Sequence, residues 1–443
     1  MSDTASDTAS DTASDPAEFF TAVASQHGRC FWLDGGGARE WSGRRSIIGW
    51  LDDDDVSLSY SAEHREVTRH QGGQSSVVGD DIFAVLEEEL AGPAAGQWFG
   101  YLGYACRPDL PARPDPELPD AVWMRPTHVR LFEHAPAPEG RVPLAGPTTG
   151  DRHPTPPTPP TPPTRPTPPT TPTPAYAAAF ARVQDELHAG NTYEVNLTHR
   201  LNQETPTASP AALYLRLREL NPAPYAGFLQ HDVPGAQAWL LSSSPERYAL
   251  VTGDRTLETK PIKGTTPRGA TEAEDERQRH EVATHPKYRA ENLMIVDLLR
   301  NDLAQVCDVG SVRVPHLMEV ESYANVHQLV STVCGRLRDD VSTVAALRAL
   351  FPAGSMTGAP KLRTMQIIDA VEGTPRGAYS GAFGWISADG RADLGVIIRS
   401  LMSADGERYT LGTGGGITVQ SDLHQEWDEA CLKAERLLRA IRG

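Results

Sequence analysis

Near its C-terminus the chain reads DLHQEWDEACLKAERLLRAI, which puts Glu426, Glu429 and Lys433 at i, i+3 and i+7. On a helix these three share one face, and Leu432, Leu437 and Leu438 are available for the buried side. Two carboxylates on adjacent turns suit Mg²⁺, a hard cation that takes few protein oxygens and keeps positions open for water or an anionic ligand. The same spacing also describes a solvated acidic face. Glu291 stands just before the apolar run NLMIV, either as a functional carboxylate or as a first-turn acid that complements a helix dipole. In GTGGGI, Gly412 to Ile417, adjacent glycines expose backbone N–H groups to an anion, or simply form a glycine-rich hairpin. The motif is no dinucleotide fingerprint, because its sixth residue is Ile417. GSMTGAPK, which contains Thr357, has too few residues between its glycines for a nucleotide-binding loop and no Lys-Ser/Thr after them. Glu246 follows a strand-like run, and His327 lies inside the apolar stretch YANVHQLVST. Each reads equally as a catalytic group or a packed polar residue. Arg399 interrupts the apolar VIIRSLM, where an unpaired charge is costly, so it needs an anionic partner from the protein or from a ligand. Lys263, in ETKPIKGTTPRG, sits between a strand end and a turn at Gly264, a position that a plain surface lysine could also take.

These groups need a scaffold, and 443 residues can hold a large core. The stretch YAAAFARVQDELHAG reads as a helix ended by Gly190, HPKYRAENLMIVDLLRNDLAQV as a second helix, and the C-terminal stretch above as a third. AWLLSSSP and RYALVTG read as strands, and residues 377–420 as successive antiparallel strands joined by Ala-Asp-Gly turns. Helices with antiparallel hairpins predict an α+β fold. Two tracts stand apart. SDTASDTASDTASD repeats with a period of four and has no large apolar residue, so residues 1–15 are expected to be disordered. The Pro/Thr-rich segment within 151–174 is expected to be extended polyproline II, spanning roughly 60 Å at about 3.1 Å per residue. It divides an N-terminal region, 16–150, from a C-terminal region, 175–443, and is read as a spacer.

Composition excludes several classes. A formal net charge of −17 argues against a nucleic-acid partner, which needs a basic face. It also means that an anionic ligand needs a local positive site. No apolar run approaches the roughly 18 residues of a membrane helix. There is no signal-peptide pattern, and the five scattered cysteines form no CxxC pair. A cytoplasmic chain with free thiols is expected.

Read in order, GNTYEVNLTHRL, LSSSPERY, ETKPIKGTTPRG, AENLMIVDLLRNDL, VHQLVST, FPAGSMTGAPK, IIRSL, GTGGGI and EWDEACLKA resemble the chorismate-utilising enzymes. The match covers nearly all of 175–438, and FWLDGG and GYLGY carry it more weakly into the N-terminal region. Within that family the chain is most similar to the component I branch of aminodeoxychorismate synthases, with the anthranilate synthase large subunits as near relatives. The resemblance implies an α/β sandwich of two interleaved antiparallel sheets surrounded by helices. It implies Mg²⁺ held by Glu291, Glu426 and Glu429, and a chorismate cradle made by Tyr379, Arg399, Lys433, Thr357 and the Gly414, Gly415 and Gly416 backbone. Glu246 would be the general acid and His327 would lie close to the ring.

Lys263 stands where the anthranilate branch usually has Ala, and this favours amination at C4 with Lys263 as a covalent nucleophile. That role requires a neutral amine, so a lowered pKa is expected. Glu194 departs from both common forms at its position: lysine in water-using relatives and often glutamine in ammonia users. The implied activity is chorismate plus ammonia to 4-amino-4-deoxychorismate, a precursor of 4-aminobenzoate and folate. The alternatives are an anthranilate synthase subunit and a non-catalytic chorismate-binding protein. The chain carries no stretch resembling a glutamine amidotransferase, so a separate subunit is expected to supply the ammonia.

Overall fold

The computed structural model describes residues 15–35, 45–93, 96–134, 171–205, 208–323 and 326–442. All of the period-four repeat except Asp15, which caps helix Pro16–Gln26, and nearly all of the Pro/Thr tract lie outside the described residues. Two antiparallel sheets form the body. The nine-stranded sheet runs, in spatial order, Gly358–Ala359, Glu194–Glu204, Arg408–Ile417, Ser400–Ser403, Ala238–Ser244, Tyr225–His231, Arg29–Asp34, Arg45–Trp50 and His128–Glu133. The twelve-stranded sheet carries Ile262–Pro267, Val326–Arg336, Thr256–Lys260, Arg247–Val251, Ala392–Val396 and Ala382–Ser387. It continues through Gln97–Leu102, Ala121–Arg125, Val56–Ser61, Glu66–Gln71 and Gln74–Gly79, and Arg313–Ser322 pairs on Val326–Arg336.

The regions on either side of the Pro/Thr tract share both sheets. Arg29–Asp34 pairs with Tyr225–His231, and Gln97–Leu102 pairs with Ala382–Ser387. Facing strands bury large apolar side chains between the sheets, with Phe31 stacked on Phe99 at 4.1 Å. A second apolar layer joins the nine-stranded sheet to helices Pro16–Gln26, Pro210–Leu220 and Leu423–Arg442 through Phe20, Leu213, Leu217 and Leu437. Leu438 joins this layer, but Leu432 is 68% exposed, because the i+3/i+4 stripe of the last helix passes on its other side.

The expected strand run over 377–420 is not one meander. Its first two strands belong to the twelve-stranded sheet and the next two to the other sheet. The chain crosses between sheets at Ile397–Arg399, where Arg399 has φ +50°. A non-glycine residue in the left-handed region marks a tight change of direction. This crossover, not a strand interior, is where Arg399 is held.

Candidate active site

A cavity of about 700 Å³ opens where strands of both sheets meet helices Pro286–Ala304 and Leu423–Arg442. Its volume lies within the range of small-molecule sites. Lys263, Glu246, Tyr379, Arg399, Lys433 and the Gly414–Gly416 backbone line it, together with Glu291, Glu426 and Glu429. Residues distant in sequence thus share one cavity: Glu246 and Lys433, 187 positions apart, both line it.

Three expected residues are placed differently. His327 lies outside the lining. Val326 and Gln328 line the cavity, and strand alternation turns the residue between them to the other face. There His327 is 1% exposed, with Nε2 3.1 Å from Asp275 Oδ1 and Nδ1 2.8 Å from Ser322 Oγ. It fastens helix Glu272–Thr284 to the sheet. Thr357 is fully buried behind the wall, where its hydroxyl donates to Gly354 O at 3.2 Å and its carbonyl accepts from Asn196 N at 2.9 Å. Glu194 sits beneath Gly416, its carboxylate against Lys263 Nζ.

The acids gather over a bare stretch of strand. A Cβ on Gly415 would lie 3.2 Å from Glu426 Oε2, 3.7 Å from Lys433 Nζ and 3.9 Å from Glu429 Oε1. Lys433 pairs with Glu429 at 2.8 Å and donates to Gly414 O at 2.9 Å. Through Lys433, then against the effect of burial, the Glu429 carboxyl is held down to about 2. Glu291 reaches the same cluster through Lys287, whose ammonium lies 2.7 Å from Glu426 and 3.8 Å from Glu291. Burial pushes the Glu291 carboxyl up to about 7, and its Oε1 is buried without a hydrogen-bond partner. Among the described residues no three His, Cys, Asp or Glu side chains meet as a ready metal-binding set. The donor chemistry nonetheless suits a hard cation. There are three carboxylates, one with an orphaned buried oxygen, and a lysine ammonium bridges two of them.

On the opposite wall Glu246 is 6% exposed, and burial pushes its carboxyl up to about 7 even though Ser355 Oγ donates to it at 2.5 Å. A carboxyl poised near neutrality can hold a proton for a leaving group. The Arg399 guanidinium makes no ion pair with any described carboxylate. Burial and then the nearby Arg436 pull its pKa down. It is a desolvated cation facing the cavity and suited to a ligand anion. Tyr379 is 5% exposed and packs over Gly412, where a Cβ would collide with its ring.

Lys263 is 8% exposed and departs from the expected lowered pKa. Burial is the largest influence and pulls the ammonium down, but Glu194, Glu291 and Glu246 override it, so the net direction is up. The contact with Glu194 is the cause, and nothing in the local sequence pointed to it. Lys287, Ser355 and Arg436 were also missed. For Lys287 a signal existed, because it stands four residues before Glu291 and a helix brings such a pair together.

The profile of the chorismate binding enzyme family matches residues 28–439. An aminodeoxychorismate synthase of Streptomyces pristinaespiralis is 40% identical over 96% of this chain and 63% of its own length. One from Streptomyces griseus is 41% identical over 93% of this chain and 60% of its own length. The chain thus spans under two thirds of these relatives. Anthranilate synthase component I from Streptococcus pneumoniae superposes with a TM-score of 0.69 at 24% identity, covering 90% of this chain and 93% of that one, and so shares the fold.

Proposed function

The chain belongs to the chorismate-binding enzyme family, and from that premise we propose that it converts chorismate and ammonia to 4-amino-4-deoxychorismate. The observation that carries this reading is Lys263, a buried lysine that lines the same cavity as the protonatable Glu246 and the unpaired Arg399. The names of the relatives from Streptomyces support the same product.

In this reading Arg399, Tyr379 and the Gly414–Gly416 backbone hold the chorismate carboxylates. The Lys263 amine bonds to ring C2, the ring double bonds shift, and the C4–O bond breaks. Glu246 delivers the proton that turns the leaving hydroxide into water. Ammonia then bonds to C4, the double bonds shift back and the C2–N bond breaks, which frees Lys263. The new C4 ammonium returns a proton to Glu246. Dividing one hard displacement into two easier ones is the gain of covalent catalysis. Glu291, Glu426 and Glu429 would hold Mg²⁺, which supplies positive charge to anchor a carboxylate of the substrate. A glutamine amidotransferase subunit would deliver the ammonia.

The test is Lys263→Ala with chorismate, Mg²⁺ and ammonium. The variant should bind chorismate and make no 4-amino-4-deoxychorismate. Turnover at the wild-type rate would refute the covalent role.

A further inference from the structure

Glu194 is 1% exposed and lies on the strand Glu194–Glu204, next to Gly358–Ala359 at the edge of the sheet and to the glycine-rich Arg408–Ile417 on its other side. Its Oε1 touches Lys263 Nζ, and its Oε2 is buried without a partner. Gly416 makes this contact feasible. A Cβ there would fall well under 3.0 Å from Glu194 Oε1 and 3.1 Å from Lys263 Nζ. The carboxylate is therefore supported by a single donor, the lysine itself. The two groups are thus placed to exchange one proton directly, with no third group between them.

We propose that Glu194 is the internal base that takes the Lys263 proton and returns it each turnover, so that the amine becomes nucleophilic without releasing a proton to solvent. The inference rests on the reading of Lys263 as the nucleophile. The transfer conserves charge: an ammonium and a carboxylate become an amine and a carboxylic acid, and the buried pair stays neutral overall. When the C2–N bond breaks, Lys263 leaves as a free amine and recovers its proton from Glu194. Glu246 stays reserved for the C4 hydroxyl. In the resting pair the Glu194 and Glu291 carboxylates outweigh burial and keep the proton on Lys263, so the transfer has to accompany attack on the ring. The other charges that act on the lysine are Glu246, next to strand Arg247–Val251, Glu291 on helix Pro286–Ala304 and Glu429 on the last helix.

The experiment follows the lysine–chorismate adduct by intact-protein mass spectrometry, with chorismate and Mg²⁺ but no ammonia, across a pH series. It compares the wild type with the isosteric Glu194→Gln, and the effect of Glu246 ionisation cancels in the ratio of their rates. The wild type should form the adduct, and the ratio should fall about tenfold for each pH unit as solvent base takes over in the variant. Glu194→Ala should regain adduct formation with added formate, which a merely structural glutamate would not show. A ratio independent of pH together with no formate rescue would overturn the inference while leaving Lys263 a nucleophile. A wild type that forms no adduct would instead refute the reading on which the inference rests.

Discussion

Gly416→Ala should disable the site while leaving the fold intact. Gly416 is paired opposite Asn196 with ordinary strand geometry, so alanine brings no backbone strain. The difficulty is spatial. The new methyl would lie well inside 3.0 Å of Glu194 Oε1, and restoring ordinary contact near 3.4 Å moves that carboxylate by roughly an ångström. The hydrogen bond between Glu194 and Lys263 then lengthens or breaks. Hydrogen bonds to charged groups contribute about 1.5–3 kcal/mol, which corresponds to roughly a ten- to hundredfold loss of kcat/KM. The assay is steady-state amination of chorismate, paired with thermal unfolding to show that the fold survives. A double-mutant cycle with Glu194→Gln locates the effect. If alanine acts through the Glu194–Lys263 pair, the double variant should be little worse than Glu194→Gln alone. Wild-type kcat/KM in Gly416→Ala, or two losses that simply add, would refute the reasoning.

Other perturbations follow from the same geometry. Glu426→Gln should weaken Mg²⁺ binding at least about tenfold by calorimetry without substrate, whereas Lys287→Ala, which removes a competing cation, should not weaken it. Because Glu246 must carry a proton, kcat/KM should decline as pH rises above about 7, and Ser355→Ala should shift that decline to higher pH by deleting the hydrogen bond that favours the carboxylate. His231 is fully buried, its Nδ1 donating to Ala236 O and its Nε2 hydrogen-bonded to Ser57 Oγ, and burial pushes it down to about 3 from 6.5. Its folded-state pKa is depressed, so the unfolded chain takes up the proton first, and stability is lost as pH falls below about 6.5. This amounts to about 2 kcal/mol near pH 5. His231→Asn should lack that part of the decline in urea unfolding measured near pH 7.5 and near pH 5.

Local periodicity exposed what is local. The last helix shows its acidic face in Glu426, Glu429 and Lys433, and the glycines of 412–416 announce a bare strand. Parity decided His327: an apolar run gives no sign of which alternate residues face a cavity, and Val326 and Gln328 took that side. Arg399 looked like a charge inside a strand because the sequence continues apolar through a crossover between sheets. The Glu194–Lys263 contact joins residues 69 apart, on strands of different sheets, and no spacing rule reaches that far. Leu432 looked buried by composition, yet the helix turns it outward.

The central claim is amination at C4 through Lys263. The direct measurement supplies isotopically labelled ammonium, chorismate and Mg²⁺ to the full chain and locates the label in the product by nuclear magnetic resonance. The account predicts nitrogen on C4 of an intact 4-amino-4-deoxychorismate and none in the Lys263→Ala reaction. Label on C2, or anthranilate as the product, would contradict it.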